Sequence, residues 1–258
     1  MKTKEYQTEM VSIVKKLGAV HGVREVWDDY LTMFSCALSN PFDKRFYEER
    51  ESIYLDCVKK YNQEELSQFP TLAVLTALAL EDNPEQDFLG TVYTDMGLYS
   101  KYNQQYFTPY HIADAMAKMV LNDLEESSKG KPFISVSDPS CGSGRMLIAL
   151  ANTAKQKGLH FQNQILYVAQ DIDRTVALMC YIQLSLLGCA GIIKIGNSLT
   201  EPITNSDMQS DRLWFTPYCF SNVWIINRWL VAKSGINPPS GADNTNTGGG
   251  LSEEKSAS

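Results

Sequence analysis

A chain of 258 residues with 44% hydrophobic and 10% aromatic side chains can bury the core of one large domain or two small ones. Its net charge of −7 predicts weak DNA binding by this chain alone, because Lys and Arg supply most non-specific affinity for phosphate. The six cysteines form no Cys-x-x-Cys pair and the three histidines lie far apart, which argues against a metal site or a disulfide framework.

The chain carries no sequence sign of export or membrane insertion. Its first residues, 1–5, are followed by no apolar signal core. No apolar stretch approaches the roughly 20 residues that cross a bilayer. The sequence therefore predicts a cytoplasmic protein without a membrane partner.

Residues 1–84 show the apolar spacing of a helical region. A stripe at three- and four-residue steps predicts a first amphipathic helix, and its members are Tyr6, Met10, Ile13, Val14 and Leu17. Further helices are predicted at 24–38, 46–61 and 71–80. None of them carries an obvious catalytic group, so we interpret the region as a packing or partner-docking module.

Residues 85–236 alternate between helix and strand patterns and are predicted to form a second domain. Helices at 87–99 and 111–125 precede strands at 133–136, 165–169 and 192–195, with helices at 145–151 and 174–187 between the strands. Residues 223–226 are predicted as a fourth strand. This alternation predicts an α/β fold with a doubly wound, mostly parallel sheet. The tail, residues 237–258, is rich in Gly, Ser, Asn and Thr and is predicted to be disordered.

A glycine loop joins the first predicted strand to the helix that follows it. Its sequence is Asp138-Pro139-Ser140-Cys141-Gly142-Ser143-Gly144. Gly142 and Gly144 can take positive φ, and the helix N-terminus offers free N–H groups to an anion. Such a loop predicts a site for a nucleotide-like cofactor, and a tight turn without a ligand is the alternative.

Polar residues also end the second and third predicted strands. Asp171 follows the second strand, where a carboxylate can accept hydrogen bonds from both ribose hydroxyls. Asn197 follows the third strand, and a plain turn residue is its alternative interpretation. Asp173 is expected to cap the next helix. Because ligands of such sheets lie outside the carboxyl ends of the strands, we expect these residues to face one site.

Several blocks in a fixed order give the chain a resemblance to a known family. They are Gly90-Thr91-Val92-Tyr93, Gln104-Gln105-Tyr106-Phe107-Thr108-Pro109, the glycine loop, Gln170-Asp171-Ile172-Asp173 and Gly196-Asn197-Ser198-Leu199. The set resembles the N-6 adenine-specific DNA methyltransferases, and in detail the modification subunit of type I restriction systems. The resemblance covers residues 85–200 and implies a Rossmann-like, S-adenosylmethionine-dependent methyltransferase domain.

The resemblance also implies roles for single residues. It places Asp138 at the amino-acid part of S-adenosylmethionine, where a carboxylate can accept a charge-assisted hydrogen bond from the ammonium group. It places Asn197 near the adenine edge of the cofactor. The block Phe107, Thr108 and Pro109 is implied to close over the methionine end, although Thr before Pro is also an ordinary helix start. Cys141 is expected to face the cofactor rather than act as a nucleophile, since no base adjoins it in the sequence.

The family's catalytic tetrapeptide has no clean copy in this chain. The family uses (Asn/Asp/Ser)-Pro-Pro-aromatic at the end of the fourth strand, where it holds the flipped adenine. Asn227 follows the predicted fourth strand but lacks the prolines, whereas Asn237 precedes Pro238 and Pro239 but lacks the aromatic residue and the strand. The sequence therefore assigns no catalytic residue. We also expect a truncated sheet, because the family continues through further strands.

Two functions follow from these patterns. The first is a DNA adenine methyltransferase of a restriction-modification or mobile-element system, which binds DNA through partner chains such as a specificity subunit or a second copy. The second is a catalytically degenerate subunit that binds S-adenosylmethionine and has a regulatory or partner-binding role. A methyltransferase for small molecules or proteins fits less well, because the helical lead and the Phe-Thr-Pro block resemble the DNA-modifying family.

Overall fold

A computed structural model of the chain describes residues 2–99, 108–127, 130–204, 207 and 210–234. A helical N-terminal region leads into a four-stranded sheet with helices on both faces. The helices are α1 (Lys2–His21), α2 (Val23–Ser39), α3 (Tyr47–Val58), α4 (Gln63–Leu66), α5 (Gln68–Asp82), α6 (Phe88–Asp95), α7 (Tyr110–Ser127), α8 (Arg145–Gln156), α9 (Phe161–Gln164), α10 (Arg174–Leu186) and α11 (Asn222–Ser234). The strands are β1 (Ile134–Asp138), β2 (Ile165–Asp171), β3 (Ala190–Ile195) and β4 (Leu213–Phe215). These elements confirm the predicted α/β class, with a helical N-terminal region and a mostly parallel sheet.

The N-terminal helices pack through the apolar faces that their sequences predict. Met10, Val14 and Leu17 of α1 are buried, and α1 packs against α2 and α5. Their side chains belong to one continuous hydrophobic core that extends along one face of the sheet as far as Trp214. The helical region therefore shares its core with the sheet, and the division at residue 84 stays a prediction from sequence.

Polar contacts also fix the helical region on the sheet. Arg174 Nη1 at the start of α10 donates to Thr32 Oγ1 of α2 at 2.8 Å. Arg50 of α3 is only 2% exposed and donates from Nη2 to the carbonyl oxygen of Leu213 at 2.8 Å. Its guanidinium also lies 4.2 Å from the ring centroid of Trp214. The N-terminal region thus contacts β4 at the edge of the sheet through Arg50.

The sheet brings the ends of three parallel strands together. The strand order is β1-β2-β3-β4, with β4 antiparallel to β3, and α8 and α10 form the crossovers. Side chains alternate between the faces, so Ile193 lies in the main core and Ile192 lies in a second cluster beneath α11. The register sets Asp171 opposite Ile195 and Asp138 two residues short of the end of β2. The carboxyl ends of β1, β2 and β3 therefore lie together at one edge of the sheet.

The prediction of a fourth strand at this segment is wrong. Residues 223–226 lie in α11, where Trp224 and Asn227 are buried while Ile225 and Ile226 are half exposed. Buried side chains three residues apart are typical of a helix. The β-branched residues of this segment favour a strand, and so the composition conceals that spacing. The actual fourth strand, β4, has only three residues and shows no period in the sequence.

The described residues contain neither a membrane-spanning helix nor a cluster of metal ligands. No helix within the described ranges is long and apolar enough to cross a membrane. Those ranges contain no group of three or more His, Cys, Asp or Glu side chains placed to hold a metal ion. All six cysteines lie in the described part of the chain and are buried as free thiols.

Candidate functional site

The glycine loop between β1 and α8 is fixed by its two glycines and by β2. Gly144 has φ of 92° and precedes α8, and an added Cβ would lie 2.8 Å from Cys180 Sγ. Gly142 has φ of 51°, and an added Cβ there would meet no atom within 4 Å. Cys141 N donates to the carbonyl oxygen of Gln170 at 3.0 Å. The loop is therefore closed against α10 and β2 but open at Gly142.

Asp171 holds the ends of the strands to this loop. Its Oδ2 accepts from Gly142 N at 2.8 Å and its Oδ1 accepts from Asp173 N at 2.9 Å. Its carbonyl oxygen accepts from Gly196 N at 2.9 Å. Burial raises the pKa of Asp171, and the hydrogen bonds from backbone N–H groups oppose that rise. A carboxylate has about four acceptor sites, so Asp171 can brace the loop and still accept a further donor.

Asp138 ends β1 beside the same loop and is partly exposed. Its Oδ1 accepts from Ser140 N at 3.2 Å. Burial raises the pKa of Asp138, and the nearby charge of Asp171 adds to the rise. Two carboxylates so placed favour a cationic ligand group, because a positive charge would stabilise their ionised forms.

A cavity of about 420 Å³ lies between β1, the glycine loop, α7 and α8. Its size falls within the range of small-molecule sites. Among the predicted site residues, Thr108, Asp138 and Gly142 line it, whereas Pro109, Gly144, Asp171 and Asn197 do not. Phe107 lies outside the described residues. The remaining lining is largely apolar and includes Met116, Ala117, Val120, Val136, Met146, Leu147 and Leu150.

Asn197 begins the turn after β3. Its Oδ1 accepts from Leu199 N at 2.9 Å, and its carbonyl oxygen accepts from Glu201 N at 2.8 Å. Gln170, which is 3% exposed, fixes this turn from β2, since its Nε2 donates to the carbonyl oxygens of Gly196 and Glu201. These contacts support the turn interpretation of Asn197 at this point of the chain.

Asp87 is a buried residue of this region that the sequence did not reveal. It caps α6 through Gly90 N, which donates to Oδ1 at 2.9 Å. Gln183 Nε2 also donates to Oδ1 at 2.9 Å, Arg145 Nε donates to Oδ2 at 3.0 Å, and Ser143 Oγ donates to Oδ2. The one available signal, an Asp before an apolar helix, predicts only a cap.

Asp173 takes the capping role that the sequence predicts. Thr175 N donates to Asp173 Oδ1 at 2.8 Å, and α10 begins at Arg174. This prediction is confirmed.

Comparison with known proteins places this architecture in a family. A family model described as N-6 DNA Methylase matches residues 85–243, which is more than half of the chain. The chain belongs to the N-6 DNA methylase family. The predicted resemblance to the N-6 adenine-specific DNA methyltransferases is thereby confirmed, whereas the closer resemblance to the modification subunit of type I restriction systems stays a prediction.

One solved structure is also similar to this methylase family member. It is described as a class I S-adenosylmethionine-dependent methyltransferase from Listeria monocytogenes, with 14% sequence identity and a TM-score of 0.41. The match covers 86% of this chain and 70% of that one. No curated protein matches the chain.

The surroundings of Cys141 favour an unreactive thiol. It is 5% exposed and lines the cavity. A hydrogen bond with Cys180 and burial raise the pKa of the Cys141 thiol well above its ordinary value. A thiol that stays protonated is a poor nucleophile, so the structure supports the expectation that Cys141 does not attack a base.

Asn227 lies away from the glycine loop and the cavity. Its Nδ2 donates to the carbonyl oxygen of Asn163 at 3.1 Å, and Asn163 lies just before β2. Asn227 is therefore at the amino end of the sheet, whereas Asp138 and Asp171 are at the carboxyl end. Asn237 lies outside the described residues.

Proposed function

We propose that this chain binds S-adenosylmethionine at the carboxyl ends of β1 and β2. The observation that carries the proposal is the shared position of Asp138 and the open backbone of Gly142 on one cavity wall, in a chain of the N-6 DNA methylase family. Asp138 would hold the ammonium group through a charge-assisted hydrogen bond. Asp171 would brace the loop and accept ribose hydroxyls.

The proposed reaction is methyl transfer to the exocyclic amino group of adenine in DNA. When bound, S-adenosylmethionine supplies an electrophilic methyl group. The apolar side chains around the cavity would keep water away from that group, and Val136 and Met146 are two of them. The family assignment supports DNA as the methyl acceptor.

DNA is proposed to reach the site with the help of other chains. A net charge of −7 gives this polypeptide little attraction for phosphate. A specificity subunit or a second copy would supply the missing positive charge, as in a restriction-modification or mobile-element system. Such a system acts in the cytoplasm, which is the proposed location.

A second candidate function is a subunit that binds S-adenosylmethionine without transferring its methyl group. The position of Asn227 favours it, since this amide is engaged with Asn163 at the far end of the sheet. A regulatory or partner-binding role would then depend on the cofactor site alone.

Methyl transfer to DNA distinguishes the two functions. The purified chain is incubated at low salt with adenine-containing duplex DNA and S-adenosylmethionine that carries tritium in its methyl group. We expect tritium in DNA and N6-methyladenine by mass spectrometry, and a duplex of only G·C pairs is the control. Cofactor binding without transfer, also in the presence of the partner chains, would support the second function.

A further inference from the structure

Asp87 joins four segments of the chain although it does not line the cavity. Its side chain is fully buried. The two carboxylate oxygens have different partners: Oδ1 accepts from Gly90 N and Gln183 Nε2, and Oδ2 accepts from Ser143 Oγ and Arg145 Nε. Capping α6 needs only Oδ1. The Oδ2 contacts reach the glycine loop and the first residue of α8.

The partners of Asp87 carry these contacts onward to both walls of the cavity. Arg145 Nη1 donates to the carbonyl oxygen of Thr108 at 2.6 Å, and Thr108 lines the cavity beside α7. Gln183 Nε2 donates to the carbonyl oxygen of Ser143 at 2.8 Å. The carboxylate is thus connected to the glycine loop through Ser143 and to the Thr108 wall through Arg145.

Gly90 shows that the chain packs closely at this point. A Cβ added to Gly90 would collide with Asp87 Oδ2 and would lie 2.5 Å from Ser143 Oγ. Only glycine lets α6 approach both oxygens at once. A carboxylate that only capped a helix would not require glycine at this position.

We propose that Asp87 is a positioning residue of the cofactor site, which acts through Ser143 and Arg145 on the glycine loop and Thr108. The inference rests on the proposed binding of S-adenosylmethionine. Asp87→Asn keeps an acceptor for Gly90 N but sets an amide NH₂ opposite Arg145 Nε. Two donors then face each other, so the loop loses its link while the helix keeps its cap.

Calorimetric titration of the full chain with S-adenosylmethionine tests the proposal. Asp87→Asn should weaken the Kd by about tenfold, the scale of one lost hydrogen bond to a charged group. The matched control is Asp43→Asn, a carboxylate 1% exposed that pairs with Arg45 and Arg50 in the N-terminal region. Both variants should lose thermal stability, and only Asp87→Asn should lose cofactor affinity. Equal Kd values for the two variants would overturn the positioning role.

A double-mutant cycle tests the route through Arg145. If Asp87 acts through this residue, Arg145→Gln should weaken the Kd about as much as Asp87→Asn, and the double variant should be no weaker than Arg145→Gln alone. If the fold-changes in Kd of the two substitutions multiply in the double variant, the route from Asp87 through Arg145 is contradicted. If Asp87→Asn is recovered unfolded, Gln183→Met replaces it, because Gln183 contacts Asp87 Oδ1 and Ser143 O without lining the cavity.

Titration of the unaltered chain distinguishes failure of cofactor binding from failure of the positioning role. If it does not bind S-adenosylmethionine, the proposed function fails and the positioning role fails with it. If it binds and Asp87→Asn binds equally well, only the positioning role is overturned.

Discussion

The residues that hold the candidate site together are those whose partners are distant in sequence. Ser143 lies 56 residues from Asp87, and Gln183 lies 96 residues from it. Sequence patterns report local spacing, so they predicted Asp138, Asp171 and the glycines at strand ends but could not show Asp87 or Gln170. Hydrogen bonds between side chains so far apart in sequence form only once α6 and α10 have packed.

Replacing Asp138 should weaken cofactor binding more than replacing an exposed carboxylate. Asp138→Ala removes the proposed partner of the ammonium group and should cost about 1–3 kcal/mol of binding free energy. Asp114→Ala, on the exposed face of α7 where Asp114 pairs with Lys118, is the control and should have no effect. Calorimetry with S-adenosylmethionine measures both. An unchanged Kd for Asp138→Ala would contradict the assignment.

The raised pKa of Asp138 predicts a pH dependence of binding. Its ordinary pKa is 3.8, and burial together with Asp171 raises it in the folded chain. An ammonium binds the ionised carboxylate, so affinity should fall as pH drops through the raised pKa, while the ligand's α-amino group stays protonated below about pH 7. Asp138→Asn should show a flatter profile between pH 4 and 7. Equal profiles for the two proteins would contradict this prediction.

The same pKa shifts have the opposite consequence for folding. A carboxyl whose folded pKa is raised contributes stability below its unfolded pKa, and that contribution is lost as pH rises through the folded pKa. The free energy of unfolding of the unaltered chain, relative to that of Asp138→Asn, should therefore fall as pH rises from about 4 to 6. Urea unfolding of both proteins at several pH values measures this difference, and a difference that does not change with pH would contradict the prediction.

At the scale of elements, strong periodicity decided what could be predicted. The three parallel strands and the crossover helices α8 and α10 lie where apolar runs and glycines predict them. Residues 223–226 misled the prediction, because Val, Trp and Ile favour strands while the contacts of Trp224 and Asn227 favour a helix. The three-residue β4 is stabilised by the β3 ladder and by Arg50, which no local pattern shows.

The two loop glycines should differ in their tolerance of alanine. Gly144→Ala combines φ of 92° with a Cβ 2.8 Å from Cys180 Sγ, and should cost about 2–4 kcal/mol of stability. Gly142→Ala has φ of 51° and open space, so it should cost only about 1 kcal/mol. Urea unfolding compares the two variants. Equal losses would contradict the proposed close packing of the loop on α10.

For the whole molecule, the continuous core predicts that the helical region and the sheet unfold together. Arg50→Met removes a buried charge that pairs with Asp43 and bonds to Leu213 of β4. We expect a loss of about 3 kcal/mol in one cooperative transition. Lys59→Met, which breaks an exposed pair with Asp56, is the control and should change little. Two separate transitions in calorimetry would show that the regions are independent.

Calorimetric titration of the unaltered chain with S-adenosylmethionine, with ATP and NAD as controls, tests the proposed cofactor site most directly. We expect saturable binding of S-adenosylmethionine at one site, and no binding of the two controls. Binding of all three ligands alike, or of none, would contradict a cofactor site built on Asp138, Asp171 and the glycine loop.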